Sequence, residues 1–243
     1  MPIPEVARRV GEALISLLFP PHCASCGADT ERGEHVCEGC AGKTRRIEAP
    51  FCHRCSEPFD GAIEGEFECA NCGDRTLHFD CAVAPYLSRG VVREFIHRFK
   101  YDREQFLRRP LAGWLADALA DPRLQSPPID AIVPVPLHAA RFRERGFNQA
   151  ALLAALLSER AAVPVLECLQ RTRYTTTQTR LDRHERMENL RNAFRVRHIA
   201  AVQSRHLLIV DDVFTTGSTV DECARVLRLA GAASVRVATV ARG

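Results

Sequence analysis

The sequence predicts an α/β protein, a mostly parallel sheet with helices on both faces, preceded by a small Cys-rich zinc-binding domain. Three observations lead there. Eight of the eleven cysteines form four Cys-x-x-Cys pairs between Cys23 and Cys72. From Cys81 onward, strand-like apolar runs alternate with helix-like stretches, the pattern of crossover connections in a parallel sheet. With 243 residues and 46% hydrophobic content, the chain can build one ordinary core and a small appendage. The expected division is 1–80, an N-terminal helix and double zinc ribbon, and 81–243, the α/β domain.

Residues 5–19 read as a short helix with Val6, Val10, Leu14, Leu17 and Leu18 as a stripe, stopped by Pro20-Pro21. Residues 22–80 lack long apolar runs, so metal must supply their stability. Cys81–Leu87 reads as a strand, and 91–100 and 104–120 as helices. After the break at Pro127-Pro128, 130–136 reads as a strand, 148–161 as a helix and 163–169 as a strand. A long polar stretch, 171–192, leads to a short strand at 194–197. The strand 206–210, the helix 218–230 stopped by Gly231, and the strand 234–240 complete the chain.

The paired cysteines suit metal in a reducing compartment better than disulfides. Ala13–Phe19 is apolar but follows Glu12 and lacks a small-residue cleavage site. A bilayer span needs about 20 apolar residues, and no such run is present. The expectation is therefore a cytoplasmic protein without membrane insertion. Two zinc ions, each in a tetrahedral four-thiolate site, account for Cys23, Cys26, Cys37, Cys40, Cys52, Cys55, Cys69 and Cys72. A sequential double ribbon is the first choice, with interleaved pairing as the alternative. Full thiolate sets leave His22, His35 and His53 unnecessary as ligands, and Cys81, Cys168 and Cys223 read as small buried side chains.

Leu207–Val210 reads as a buried strand ending on Asp211 and Asp212 at the carboxyl edge of the sheet, where ligands of such sheets bind. Thr215, Thr216, Gly217, Ser218 and Thr219 then open a helix. Gly217 lets backbone approach a phosphate, the amides at the helix start face an anion, and the hydroxyls add donors. Two carboxylates cannot hold a phosphate, but they can accept hydrogen bonds from a ribose 2′,3′-diol. The run therefore fits a 5-phosphorylated ribose. A second piece, VPVPLHAARFRERGFNQA at 133–150, reads as a strand followed by a basic turn with Arg141, Arg143 and Arg145. Such a turn can meet a pyrophosphate.

LLIVDDVFTTGST, Leu207–Thr219, resembles the phosphoribosyl pyrophosphate motif of type I phosphoribosyltransferases. Amidophosphoribosyltransferases carry a similar VPVP-type strand. The fuller pattern Arg141-x-x-x-Arg145-Gly-Phe-Asn-Gln looks like the ComF family, competence-associated proteins with a phosphoribosyltransferase-like domain behind a Cys-rich front. Gln178, Leu181, Arg186, Asn189 and Ala193-Phe194 match that family's pattern too. Lys100-Tyr101 fits its Lys-Tyr signature, whereas Lys100 alone reads as a surface charge.

The resemblance implies a type I phosphoribosyltransferase-like fold that binds phosphoribosyl pyrophosphate through Asp211, Asp212, the 215–219 turn, Arg141 and Arg145. Mg²⁺ is held mostly by the donor's oxygens. A flexible loop with Gln178, Arg186 and Asn189 closes over the donor, because an oxocarbenium-like centre must be kept from water. The implied chemistry is pentosyl transfer with loss of pyrophosphate, with Asp211 and Asp212 as the catalytic candidates, in DNA uptake, natural transformation or nucleotide metabolism. A different reading is a non-catalytic accessory protein that binds single-stranded DNA, works with DNA-uptake or processing proteins and uses the domain to sense its ligand. Few aromatics are interleaved with the arginines, so no base-stacking platform is visible.

Overall fold

The computed structural model describes residues 21–31, 33–63, 65–173 and 190–243. The helix expected at 5–19 lies outside them, as do Gln178, Arg186 and Asn189.

The front of the chain holds two similar cysteine ribbons. In each, a tight loop follows the first Cys-x-x-Cys pair, closed by Gly27 N–H to Cys23 O and Ser56 N–H to Cys52 O, both 2.9 Å. Gly27 and Ser56 occupy the same left-handed conformation. The second pair of each ribbon opens a one-turn helix, α1 (Glu38–Ala41) and α2 (Ala70–Gly73). The bridges His22–Asp29 and Phe51–Pro58 are equivalent.

The sheet begins at β1 (Ala82–Val83) and β2 (Tyr86–Leu87). The single strand expected at Cys81–Leu87 is split, because Pro85 has no N–H for the ladder. Segment 45–47 runs along the outer edge, with Ile47 N–H to Pro85 O at 2.8 Å and Leu87 N–H to Arg45 O at 2.9 Å. Next come α3 (Gly90–Tyr101) and α4 (Arg108–Ala116). The helix expected over 104–120 has only α4 as its α-helical core, flanked by 3₁₀ turns at Gln105–Leu107 and Asp117–Ala120. A short α5 (Pro122–Gln125), capped by Asp121, leads to β3 (Ala131–Pro134).

α6 (Ala139–Arg145) and α7 (Gln149–Ala161) follow. The segment expected as a strand at 163–169 makes only one parallel bridge, Ile132–Val165. Its end instead forms β4 (Leu169–Arg171), antiparallel to β5 (Phe194–Val196). Then come β6 (His206–Phe214), α8 (Ser218–Leu229) and β7 (Ser234–Arg242).

β7 lies between β1/β2 and β6, and β6 between β7 and β3, with every pairing parallel. Side chains alternate across β6. Leu207 and Ile209 face a core with α8, Phe79 and Cys52, Cys55 and Cys72. Leu208 and Val210 face a core with α3, α4, α7, Cys23 and Cys40. One ribbon is thus rooted on each face of the sheet.

Candidate functional site

β6 runs four residues beyond β3. Pro134 pairs with Val210, whereas Asp211–Phe214 continue, among the described residues, beside β7 alone. The strand therefore does not stop at the two acids as expected; it carries them past its neighbour's end. This is the crevice at the carboxyl ends of the strands.

Asp212 is buried, and its Oδ1 takes Lys100 Nζ at 2.7 Å. Its Oδ2 is buried with no hydrogen-bond partner among the described residues. Lys100 is thus no surface charge. It lies one turn beyond Ile96, on the stripe of Val92, Phe95, Ile96 and Phe99 that α3 turns to the core. That spacing was the available signal. Burial works against the Lys100 charge, but Asp212 and Asp211 together hold it above its ordinary value.

Asp211 accepts the Asp212 backbone N–H at 2.9 Å. Burial, then the Asp212 charge, push its carboxyl up to about 7 against the opposing Lys100 and Arg171. Arg171, which the sequence did not single out, stacks on Phe194 at 5.3 Å and feels both Asp211 and Arg141. It sits in the β4–β5 pair opposite Phe194.

After Phe214 the chain turns through Thr215 and Thr216 into α8. Gly217 has φ +75°, and a Cβ there would lie 2.4 Å from Phe214 Cζ. Only glycine fits both the conformation and the space. The loop carbonyls are held from behind: Arg242 donates to Phe214 O at 3.0 Å and to Thr215 O, and Arg75 donates to Thr216 O at 2.9 Å. In a trans peptide the next N–H points the opposite way. The amides of Thr215, Thr216 and Gly217 therefore point away from those guanidinium groups. Thr216 Oγ1 and Ser218 Oγ lie 2.9 Å apart, and Thr219 is half-buried in the first turn of α8. Such a turn at a helix start can receive an anion.

The expected basic turn is a short helix, α6, ended by Gly146 at φ +85°. Arg141, Arg145, Lys100, Tyr101, Arg103 and Glu144 line one cleft of about 90 Å³. Arg141 pairs with Glu144 at 3.0 Å; Arg145 bonds Gln149 Oε1 at 2.5 Å and lies over the Tyr101 ring. The structure thus joins Arg141 and Arg145 to Lys100, and through its ion pair to Asp212. Arg143 does not line this cleft.

The cysteines gather sequentially, Cys23, Cys26, Cys37 and Cys40 in one cluster and Cys52, Cys55, Cys69 and Cys72 in the other, each with its sulfurs within 4.8 Å. Tetrahedral zinc with Zn–S of about 2.3 Å places sulfurs roughly 3.8 Å apart. Cys26–Cys37 and Cys55–Cys69 stand at 3.6 Å, so both sets fit zinc. Burial raises the Cys23 thiol, but backbone N–H groups of Cys37, Cys26 and Ser25 help bring it down, while the neighbouring sulfurs push Cys40 up. His53 bonds Phe67 O and Glu68, and among the described residues neither it, His22 nor His35 belongs to a cluster. Cys81, Cys168 and Cys223 are buried free thiols.

The double zinc ribbon domain family matches residues 14–76, and the phosphoribosyl transferase domain family matches 145–243. Competence protein F of Haemophilus influenzae is 32% identical over 234 residues, covering 92% of this chain and 98% of the relative. DNA utilization protein YhgH of Escherichia coli is 35% identical over 227 residues, covering 91% and 96%. Competence protein ComFC of Streptococcus pneumoniae is 25% identical over 212 residues, covering 82% and 90%. Identity at this level over nearly the full length, with both domain families in the same chain, places the protein in the ComF family.

Proposed function

We propose that this protein binds phosphoribosyl pyrophosphate with Mg²⁺ at the end of β6 and serves DNA utilization or competence, as the names of its relatives indicate. The observation that carries the reading is the buried Asp212 Oδ2, without a partner among the described residues, beside an amide-lined glycine turn. A buried acceptor of that kind calls for a donor. A ribose hydroxyl supplies one while the 5-phosphate takes the Thr215–Thr219 amides and hydroxyls.

In this pose Asp211 and Asp212 accept from the diol, and Lys100, Arg141 and Arg145 face the pyrophosphate. Mg²⁺ would be held mainly by the donor's oxygens, with Asp212 Oδ2 as the protein group suited to it, and would supply charge neutralisation at the pyrophosphate. Transfer would be displacement of pyrophosphate from the anomeric carbon by an acceptor nucleophile, which forms the new bond as the C–O bond to pyrophosphate breaks, and the residues here would serve it by positioning and charge stabilisation. The buried pair and pre-set loop serve ligand sensing without transfer equally well, and both roles begin with binding. Titration calorimetry with phosphoribosyl pyrophosphate and Mg²⁺ tests it. Saturable binding is expected, abolished in Asp211→Asn/Asp212→Asn. Equal affinity in that variant would refute the assignment.

A further inference from the structure

The two zinc ribbons are not equivalent. The first contacts α3, with Ser25 to Glu94 at 3.1 Å and Arg98 to Ala24 O. The second reaches the turn after β6 through a continuous set of contacts. Arg75 N–H bonds the carbonyl of Cys72, a zinc ligand, at 3.4 Å, and the Arg75 side chain holds Thr216 O at 2.9 Å. Three residues on, His78 grips the first turns of α8, its backbone N–H on Asp221 Oδ1 at 2.7 Å and its ring on Oδ2 at 3.2 Å. Phe79 meets Phe214 edge-on, with centroids 5.9 Å apart. Phe214 is the ring that closes on Gly217. Cys52, Cys55 and Cys72 share the buried core of Phe79, Phe214 and Val220.

From this we infer that Arg75 is a positioning residue for the anion-binding turn, and that zinc in the second ribbon, not the first, sets how well that turn is formed. This rests on the phosphoribosyl pyrophosphate reading for its ligand, but its structural half does not. Arg242 fixes the Phe214 and Thr215 carbonyls from within the sheet, whereas the Thr216 carbonyl, whose peptide aims the Gly217 amide, is held by Arg75. Loss of the second zinc frees Cys72, hence Arg75, hence that peptide.

The test uses the full zinc-loaded chain. Arg75→Ala, Arg75→Lys and wild type are compared by zinc content, amide hydrogen exchange over 215–219 and titration with phosphoribosyl pyrophosphate and Mg²⁺. Arg75→Ala should keep both zincs, exchange its 215–219 amides about tenfold faster and bind about tenfold more weakly, the scale of one charge-assisted hydrogen bond. Arg75→Lys, retaining one donor, should recover part of both effects. Exchange in α7 should not change. Unaltered exchange at 215–219 in Arg75→Ala would overturn the inference whatever the ligand. Faster exchange with unchanged affinity in a system where wild type binds would overturn it too. If wild type binds no donor, the functional reading falls, while exchange still decides the role of Arg75. Cys69→Ala should speed exchange at 215–219 and Cys26→Ala should not; the reverse order would also refute the assignment.

Discussion

Replacing Lys100 by methionine keeps the length and apolar stem of the side chain and removes its charge. The consequence follows from the pair at 2.7 Å, with the Lys100 side chain 19% and the Asp212 side chain 3% exposed. Coulomb's law at an effective dielectric of about 20 gives about 6 kcal/mol at that separation, an upper bound. Desolvation of both groups offsets part of it, and breaking one half of a buried pair costs about 3–5 kcal/mol. Because Lys100 is held charged above its ordinary value, the stabilisation is fully present below pH 10.5 and is lost as pH rises through the higher folded value. The assay is urea unfolding of zinc-loaded wild type, Lys100→Met, Asp212→Asn and the double variant at pH 7.5. The single lysine variant should lose about 3–5 kcal/mol. The double variant should lose clearly less than the two singles combined, since no charge is then stranded. A loss below about 1 kcal/mol, or strict additivity, would refute a load on this pair.

Three more outcomes follow. Gly217→Ala places a Cβ against Phe214 in a left-handed residue; about 1–2 kcal/mol of backbone strain plus about 1–3 of overpacking should appear as a lower Tm and weaker donor binding, and an unchanged melt would contradict the geometry. Asp211 is raised to about 7, so donor affinity should strengthen as pH rises through 7 more steeply than in Asp211→Asn, which retains only the donor's own phosphate ionisation at about 6, and equal pH profiles in calorimetry would contradict this; the same group makes the free protein less stable as pH climbs from 3.8 to 7, because the folded state binds the extra proton. Chelation should release zinc in two phases, the first ribbon with its exposed Cys26 ahead of the second with Cys52 and Cys55 at 0% exposure; a single phase in a metallochromic dye assay would count against two environments.

The sequence was most legible where chemistry repeats locally. The cysteine spacing announced two four-thiolate sites, and the run of four apolar residues, two acids and a glycine turn announced its strand, loop and helix. Contacts distant in sequence were not legible. Nothing near Lys100 points to Asp212, and nothing near Arg75 points to Thr216, 141 residues away. Sequential rather than interleaved zinc pairing likewise depends on how the ribbons fold back. Pro85 was a local signal for the β1/β2 break, whereas the antiparallel β4–β5 pair, in place of a full strand at 163–169, depends on a partner beyond residue 190.

The overhang of β6 past β3 has one more consequence. Asp211–Phe214 spans roughly 13 Å of strand with a partner on the β7 side and no strand on the other among the described residues. A bare strand edge is a template for pairing with another molecule. Here Asp212 and the Lys100 head are buried together against that strand, so the end of α3 covers the sheet beside the edge and the ion pair holds it there. An intact pair therefore also guards against self-association. Neutralising both carboxylates leaves Leu-Leu-Ile-Val running into Asn-Asn-Val-Phe, a stretch with little to stop stacking between chains. Sedimentation of the double-asparagine variant at rising concentration should reveal larger species that the wild type does not form.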